Sequence, residues 1–367
     1  MKHQKICTVG AVCLLTLWAA LVIFAWCKPA GDISDSERRP LAQFPEVSVD
    51  TILSGKFMTD FESYTLDQFP LRDTFRSVKS LFYYYGLLQK DNNDIYIQDG
   101  YAAKLEYPIK EGAVKNALTR FDYVYNTYLK DSGSKVYFTL VPDKGYYLAA
   151  PNGYPAMDYE ALYAMVETAA PWATHIDLRD TLTAEDYYRT DTHWRQEALL
   201  PAAGKLTAAL GVTVDPESFT ETTLEEPFYG VYYGQAALPM APDKLTILES
   251  VTLSSATVYS DQTGKTTQVY DLDKATGRDL YEVFLSGSER LLVIENPKAT
   301  TDRELIVFRD SFGSSMVPLL VEDYAKVTLV DLRYLPSTML GDYLEFTGQD
   351  VLFLHSTLIL NSGYAIK

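Results

Sequence analysis

Cysteine is scarce, and where it occurs it cannot staple a fold. The chain has 367 residues and three cysteines, Cys7, Cys13 and Cys27, all within the first 27 positions. The remainder has none, which excludes disulfides and any cysteine-based zinc site there. Histidine is nearly as rare, with four in total. Beyond the first residues a metal would have only His175, His193 and His355 to draw on. A metal at the Asp-x-His pair around His193 would need further ligands, for which the exported part offers only two more histidines, so neither a metal nor a cofactor is expected. Positive charge is also short. Thirty-two Lys and Arg stand against 49 Asp and Glu, for a net charge of −17. A polyanionic backbone is repelled by such a surface, no basic stripe reverses this, and nucleic acid is not expected as a partner. Internal repeats and low-complexity blocks are lacking too.

What is present begins with the N-terminus. Lys2, His3 and Lys5 precede an uncharged run from Ile6 to Cys27. A helix of that length crosses the roughly 30 Å hydrocarbon layer of a bilayer. Positive charge before it predicts a cytoplasmic tip and an exported remainder. A cleaved signal peptide is the rival reading, but it has a shorter apolar core and ends on small residues. Here the run ends Phe24-Ala25-Trp26-Cys27. Bulky Trp26 opposes both peptidase cleavage and a lipoprotein reading of Cys27, and it suits an interfacial anchor. The expectation is a single-pass anchor over residues 1–27, a polar stalk over 28–55, and one exported domain over 56–367.

Within that domain Phe57, Phe61 and Tyr64 recur at helical spacing, as do Phe75, Val78 and Phe82 with Gly86 as a stop. Residues 94–105 read as a hairpin turning at Asp99-Gly100. Five short apolar runs follow, at 135–141, 174–178, 304–309, 326–332 and 350–355. Helical patterns lie at 112–130, 156–170 and 314–324. Near-continuous apolar strands alternating with helices predict an α/β fold with a mostly parallel sheet covered on both faces. Such sheets carry their sites at the carboxyl ends of the strands. Residues 215–300 break the rhythm with Thr, Ser and Tyr in short alternating runs, read as a β-rich insertion. The 28 tyrosines suit half-buried sheet positions and, on a wet face, carbohydrate stacking.

Two stretches carry chemistry. In Asp191-Thr192-His193-Trp194 the carboxylate and the imidazole are two apart, so an extended segment points both to one side. The carboxylate can then fix the tautomer and leave the other ring nitrogen as a base. A surface turn is the plainer reading of such a pair. In Arg309-Asp310-Ser311-Phe312-Gly313 the serine follows an apolar strand and precedes a helical pattern. A nucleophile there projects from the sheet edge, and the N–H groups around Phe312 and Gly313 could hold an oxyanion. The plainer reading is helix capping by Ser311, Ser314 or Ser315. A serine needs a base and the base needs an acid, so the two stretches strengthen each other.

Together these residues resemble the DHHW proteins, relatives of the alginate O-acetyltransferases within the SGNH-hydrolase superfamily. Asp191-Thr192-His193-Trp194 is similar to the naming motif, with Thr at its second place. Asp67-Gln68-Phe69-Pro70-Leu71-Arg72, Val141-Pro142-Asp143-Lys144, Phe228-Tyr229-Gly230, Asp331-Leu332-Arg333-Tyr334 and the run Ser356–Asn361 resemble further blocks in the same order. The resemblance implies a three-layer αβα SGNH-like domain, with Asp191, His193 and Ser311 as acid, base and nucleophile. It departs at Arg309, where many relatives have Gly, and at Pro201, which fits a helix starting at Leu200–Pro201. The Asn and Gly that complete the usual oxyanion hole are not assignable. Lys144, Tyr232 and Arg333 are candidates for lining a cleft.

The implied activity is acyl transfer, acetyl above all, onto an exported or cell-surface polysaccharide, or its removal by an esterase. A transferase outside the membrane needs an acyl supply, and one span cannot carry acyl groups across. A multi-span acyltransferase is therefore an expected partner. The competing reading is a non-catalytic glycan-binding module of a cell-envelope assembly.

Overall fold

The computed structural model describes residues 2–367, with side chains from Lys5 onward. The side chains of Lys2 and His3 in the basic tip thus lie outside the described residues. The chain forms two compact units: one runs through Asn92 and adds Tyr233–Pro239, and the other comprises Asn93–Tyr232 and Met240–Lys367.

The first unit opens with the helix Lys2–Cys27, of which Lys5–Cys27 is long and apolar enough to cross a membrane. Residues 28–55 contain a short strand pair, Ile33–Ser34 with Arg39–Pro40, and the helix Val49–Leu53. The helices Lys56–Asp67 and Arg72–Leu81 follow, the latter widening into a π-type turn at Phe82–Gly86. The Asp67 block holds this unit together. The Asp67 carboxylate accepts both guanidinium N–H groups of Arg39, at 2.7 and 2.8 Å, and the N–H of Ala42 at 2.9 Å. These hydrogen bonds, led by Arg39, hold its pKa down to about 2. Arg72 and Arg76 pair with Glu37 at 2.5 and 3.1 Å.

The second unit is built on an eight-stranded sheet. Its order is Thr266–Gln268, Thr257–Ser260, Leu291–Glu295, Lys326–Val330, Glu304–Arg309, Asp350–Ser356, Val136–Val141, Thr174–His175. The last five are parallel and are the five apolar runs read from the sequence. The first three join antiparallel and come from the stretch that broke the rhythm. Alternation splits each central strand between two cores. Leu305, Val307, Leu352 and Leu354 face one layer with the helix Leu200–Leu210. Ile306, Phe308, Val351 and Phe353 face the other, with the helices Glu111–Val124 and Tyr159–Ala169. The result is the three-layer αβα arrangement expected. Each of these side chains contributes about 1.5–3 kcal/mol by leaving water.

Local signals explain several boundaries. Asp99 and Gly100 both take positive φ, 51° and 83°, as a tight two-residue hairpin requires. Pro201 sits in the first turn of Leu200–Leu210, where its missing N–H costs nothing, and Gly211 closes the helix at φ 67°. The expected helix 314–324 is shorter: Gly313–Met316 continues only as a 3-10 turn, Val317–Leu320. Pro318 cannot donate to that ladder. The expected strand 174–178 narrows to Thr174–His175, although Ile176 still donates its N–H to Phe138 at 2.8 Å.

Candidate functional site

The parallel strands bring the sequence blocks to one edge. Pro142-Asp143-Lys144 follows Val136–Val141, Asp310-Ser311 follows Glu304–Arg309, Asp331-Leu332-Arg333 follows Lys326–Val330, and Thr357 follows Asp350–Ser356. Carboxylates lace adjacent strand ends together. Asp310 accepts the N–H and hydroxyl of Ser356 at 2.8 and 2.6 Å, and the N–H of Phe312 at 3.0 Å. Asp143 accepts the Thr357 hydroxyl at 2.6 Å and the Tyr159 hydroxyl at 2.9 Å. Burial pushes the Asp143 carboxyl upward, against these hydrogen bonds.

Ser311 sits on the turn after its strand, half-buried, with its hydroxyl 2.8 Å from His193 Nε2. On the other side of the ring, Nδ1 lies 2.6 Å from Asp191 Oδ1. An ionised carboxylate only accepts, so Nδ1 carries the proton and Nε2 is left to accept from the serine. Residues 118 apart in sequence thus meet in one hydrogen-bonded line.

The local geometry differs from the extended segment expected. Tyr187 and Trp194 pair as an antiparallel bridge, and residues 188–193 form a tight loop between them. Asp191 Oδ1 also accepts the backbone N–H of His193, at 3.0 Å. This is an Asx turn, and it is the turn that sets the carboxylate against the imidazole. Capping fails as an account of the serines. The helix start at Gly313 has no side-chain cap. Ser314 instead accepts from Arg309 at 3.1 Å, and the Ser315 hydroxyl meets the Trp194 indole N–H at 2.9 Å and the Tyr281 hydroxyl at 2.8 Å.

Trp194 is the bolt between the two stretches, since its indole N–H also reaches the Phe312 carbonyl at 3.1 Å. Gln196 adds a second link, donating to the Ser315 carbonyl at 2.9 Å. The His193 ring stacks on Tyr281 with centroids 3.9 Å apart and planes 8° from parallel, and Phe312 closes in at 4.9 Å. The imidazole therefore has little freedom to rotate.

Three supports were not legible as site residues. Gly230 lies so close to Asp191 that an added Cβ would stand 2.2 Å from its Cβ and 2.4 Å from its Cα. This approach lets the N–H of Val231 donate to Asp191 Oδ2 at 2.8 Å and that of Gly230 to the Thr190 hydroxyl at 2.9 Å. Asp243, at the start of the strand Asp243–Glu249, accepts the N–H groups of Arg189 and Thr190, each at 2.8 Å, and the Thr190 hydroxyl at 2.5 Å. Tyr281 arrives from the 3-10 turn Leu280–Val283. Phe228-Tyr229-Gly230 was visible as a block; Asp243 and Tyr281 carry no local signal at all.

The remaining candidates fall in different places. Lys144 is fully buried and cannot line an open cleft; its ammonium donates to the carbonyls of Ala102 at 2.5 Å and Tyr188 at 2.7 Å. Burial lowers its pKa to about 7, opposed by Asp191, Asp243 and Asp143. Tyr232 is likewise buried and donates to the Thr192 hydroxyl at 3.0 Å. Both brace the Asp191 loop from within. Arg333 is clamped by Asp331, with contacts of 2.5 to 3.1 Å. The N–H groups of Phe312 and Gly313 are taken by the Asp310 side chain and carbonyl, at 3.0 and 3.1 Å. Among the described residues, the Ser311 N–H donates to no protein acceptor. Arg309 fills its buried place by bonding Ser314 and the Gly287 carbonyl, and its stem packs where Gly313 lacks a side chain. No cluster of three or more metal-ligating side chains occurs among the described residues.

The family model of the DHHW proteins matches residues 175–330, which include both Asp191-Thr192-His193-Trp194 and Arg309-Asp310-Ser311-Phe312-Gly313. No curated protein matches the sequence. Among solved structures, a DHHW family protein from Eubacterium siraeum is 22% identical, with 75% of this chain and 94% of that one covered and a TM-score of 0.59. Bacillus cereus PatB1 is 19% identical, with coverage of 72% and 96% and a TM-score of 0.58. The same protein with a sulfonyl adduct gives 19%, 72%, 95% and 0.56. At these identities the likeness is one of fold. Residues 175–330 thus match the DHHW family model in sequence, and three quarters of the chain is similar in fold to a DHHW family protein.

Proposed function

We propose that this chain is a serine-dependent O-acyl, chiefly O-acetyl, transferase or esterase acting outside the cytoplasm on a polysaccharide, tethered by its N-terminal helix. The observation that carries the reading is the line Asp191 Oδ1–His193–Ser311 Oγ, with its two contacts of 2.6 and 2.8 Å. Such a line is what makes a serine hydroxyl nucleophilic near neutral pH.

In this reading His193 Nε2 takes the Ser311 proton as the serine oxygen bonds the ester carbonyl carbon. The developing oxyanion meets the Ser311 N–H, the uncommitted donor of the turn. The intermediate collapses, the ester C–O bond breaks, and His193 returns its proton to the departing alcohol. A sugar hydroxyl then attacks the acyl-serine and gives its proton to His193, which passes it back to the serine oxygen. Water in place of the sugar makes the enzyme an esterase. The acetyl group and the polymer come from the resemblance to alginate O-acetyltransferases. The transferase version needs a multi-span membrane acyltransferase to bring acyl groups across.

The test is acetate release from an activated acetyl ester and from acetylated polysaccharide, by the full chain and by Ser311→Ala. Loss of about 10³-fold or more in turnover is expected from removing the nucleophile. A variant as active as the parent sinks the proposal, and a parent that binds polysaccharide without ever turning over an ester favours the binding-module reading.

A further inference from the structure

The helical spacing at Phe75, Val78 and Phe82 was legible in the sequence, and the helix forms there. Its stripe does not enter a core. Phe75, Val78 and Phe82, spaced three and four apart, are each 47–59% exposed, and Leu71 just before the helix and Tyr85 in its closing turn are 65% and 63% exposed. A stripe of that spacing normally lies against something apolar. Within its own compact unit it stays largely uncovered, Phe75 meeting only the edge of Phe69 at 5.6 Å and Phe82 that of its neighbour Tyr83 at 6.3 Å among the described ring contacts.

Charge narrows what covers it. In a chain of net charge −17, residues 71–90 carry Arg72, Arg76, Lys79 and Lys90 against the single acid Asp73. Arg72 pairs with Glu37, Asp67 and Asp73, and Arg76 with Glu37 and Asp73, while the Lys79 ammonium lies over the Tyr83 ring at 5.4 Å. Tyr83, Tyr84 and Tyr85 follow at its end, rings of the kind enriched at membrane–water interfaces.

Continuity with the apolar N-terminal helix points the same way. That helix belongs to the same compact unit. Its last turns pack on the helix Lys56–Asp67: Trp26 meets Phe61 with centroids 6.5 Å apart, and Phe44 closes edge-on against Phe57, Phe61 and Tyr64 at 5.4–6.4 Å. A span that ends at Trp26 and Cys27 brings this aromatic cluster to the headgroup level.

We infer that the helix Arg72–Leu81 with its Phe82–Gly86 turn is an in-plane membrane element, laying its apolar stripe into the outer leaflet beside the span, with anionic lipid favoured. The inference rests on the tether proposed above and not on the acyl chemistry. It gives the unit a second hold on the bilayer, so that the unit lies down on the surface instead of swinging from a single helix. One amphipathic helix buries its apolar face about 5–10 Å deep, in the headgroup and upper acyl region.

The test uses the full chain in vesicles of phosphatidylcholine with or without phosphatidylglycerol. Single-cysteine forms carry a polarity-sensitive fluorophore at native Cys13 within the span, at Val78→Cys, or at exposed Thr347→Cys, with the other cysteines changed to serine. Nitroxide-labelled lipid should quench the Val78→Cys label about fivefold more than the Thr347→Cys label, and more again with anionic lipid. A label at Phe75→Cys should behave like that at Val78→Cys, and adding Val78→Glu with Phe82→Glu should release it from lipid without lowering the melting temperature, since both side chains are exposed. Quenching at Cys13 with none at Val78→Cys overturns the inference while sparing the tether. No quenching at either removes the tether, and the in-plane helix falls with it. Efficient disulfide formation between Val78→Cys chains would assign the face to a second copy and also overturn the inference.

Discussion

Gly230→Ala tests the site through a residue that touches no substrate. The added Cβ would lie 2.2 Å from Asp191 Cβ, 2.4 Å from its Cα and 2.5 Å from its backbone nitrogen. No rotamer change relieves a clash with backbone atoms, so the two loops must separate. Separation breaks the Val231 N–H bond to the Asp191 carboxylate and the Gly230 N–H bond to Thr190. A hydrogen bond to a charged group contributes about 1.5–3 kcal/mol and a neutral one about 1 kcal/mol. Partial relaxation recovers some of this, and a net loss of about 3 kcal/mol is expected, with overpacking as the driving strain. At roughly 2 °C per kcal/mol for a unit of this size, the melting temperature should fall by about 6 °C. Displacing Asp191 by about 1 Å also moves the imidazole off the serine, which costs on the order of 10²-fold in turnover. Thermal melting and steady-state kinetics on an acetyl ester read both effects, with kcat falling and KM nearly unmoved. A Gly230→Ala variant with unchanged melting and turnover within about a factor of two of the parent would refute the packing of this loop on Asp191.

Asp191→Asn should lower turnover by about 10⁴-fold, because the amide no longer enforces the Nδ1–H tautomer, and should cost about 1.5–3 kcal/mol, because an amide cannot accept on both sides as the carboxylate does from His193 and Val231; parental turnover in a steady-state ester assay would remove Asp191 from the relay. Asp243→Ala strips the loop of its clasp on Arg189 and Thr190. About 2–4 kcal/mol of stability and a part of kcat should go with it, read by urea midpoint and ester turnover, and a neutral result would mean the loop holds itself. His355 is buried, and desolvation lowers its pKa to about 4. The unfolded chain then binds the extra proton between pH 6.5 and 4, so stability falls as pH drops through that window, by about 3 kcal/mol in all. Urea unfolding of His355→Phe against the parent at pH 7 and pH 4 should show the variant losing that much less, and parallel losses would place the acid sensitivity elsewhere.

Much of the frame was legible from residues alone. The runs 304–309 and 350–355 are apolar on both faces, and only a strand covered by two layers uses such a sequence. Leu305 and Ile306 duly face opposite cores. The strand at 174–178 was overestimated because it is the last in the sheet and pairs on one side only. In the stretch 215–300 alternation announced strands but not their partners. The Thr257–Ser260 and Leu291–Glu295 strands extend the main sheet, while Thr220–Phe228 and Asp243–Glu249 pair with each other. Strand partners are chosen by long-range contacts that no local window contains.

What the sequence determined by itself was therefore chemical type and order: an apolar N-terminal helix, strands that must be buried, and an Asp-x-His and a Ser placed beside strand ends and turns. Those properties follow from side-chain solvation and backbone preference, which act over a few residues. Tertiary structure alone decided that Gly230 would press against Asp191, that Tyr281 would stack on His193, and that the stripe from Leu71 to Tyr85 would stay largely uncovered within its unit. Each of these depends on which distant surface arrives at a given spot, and that is settled by packing the whole chain.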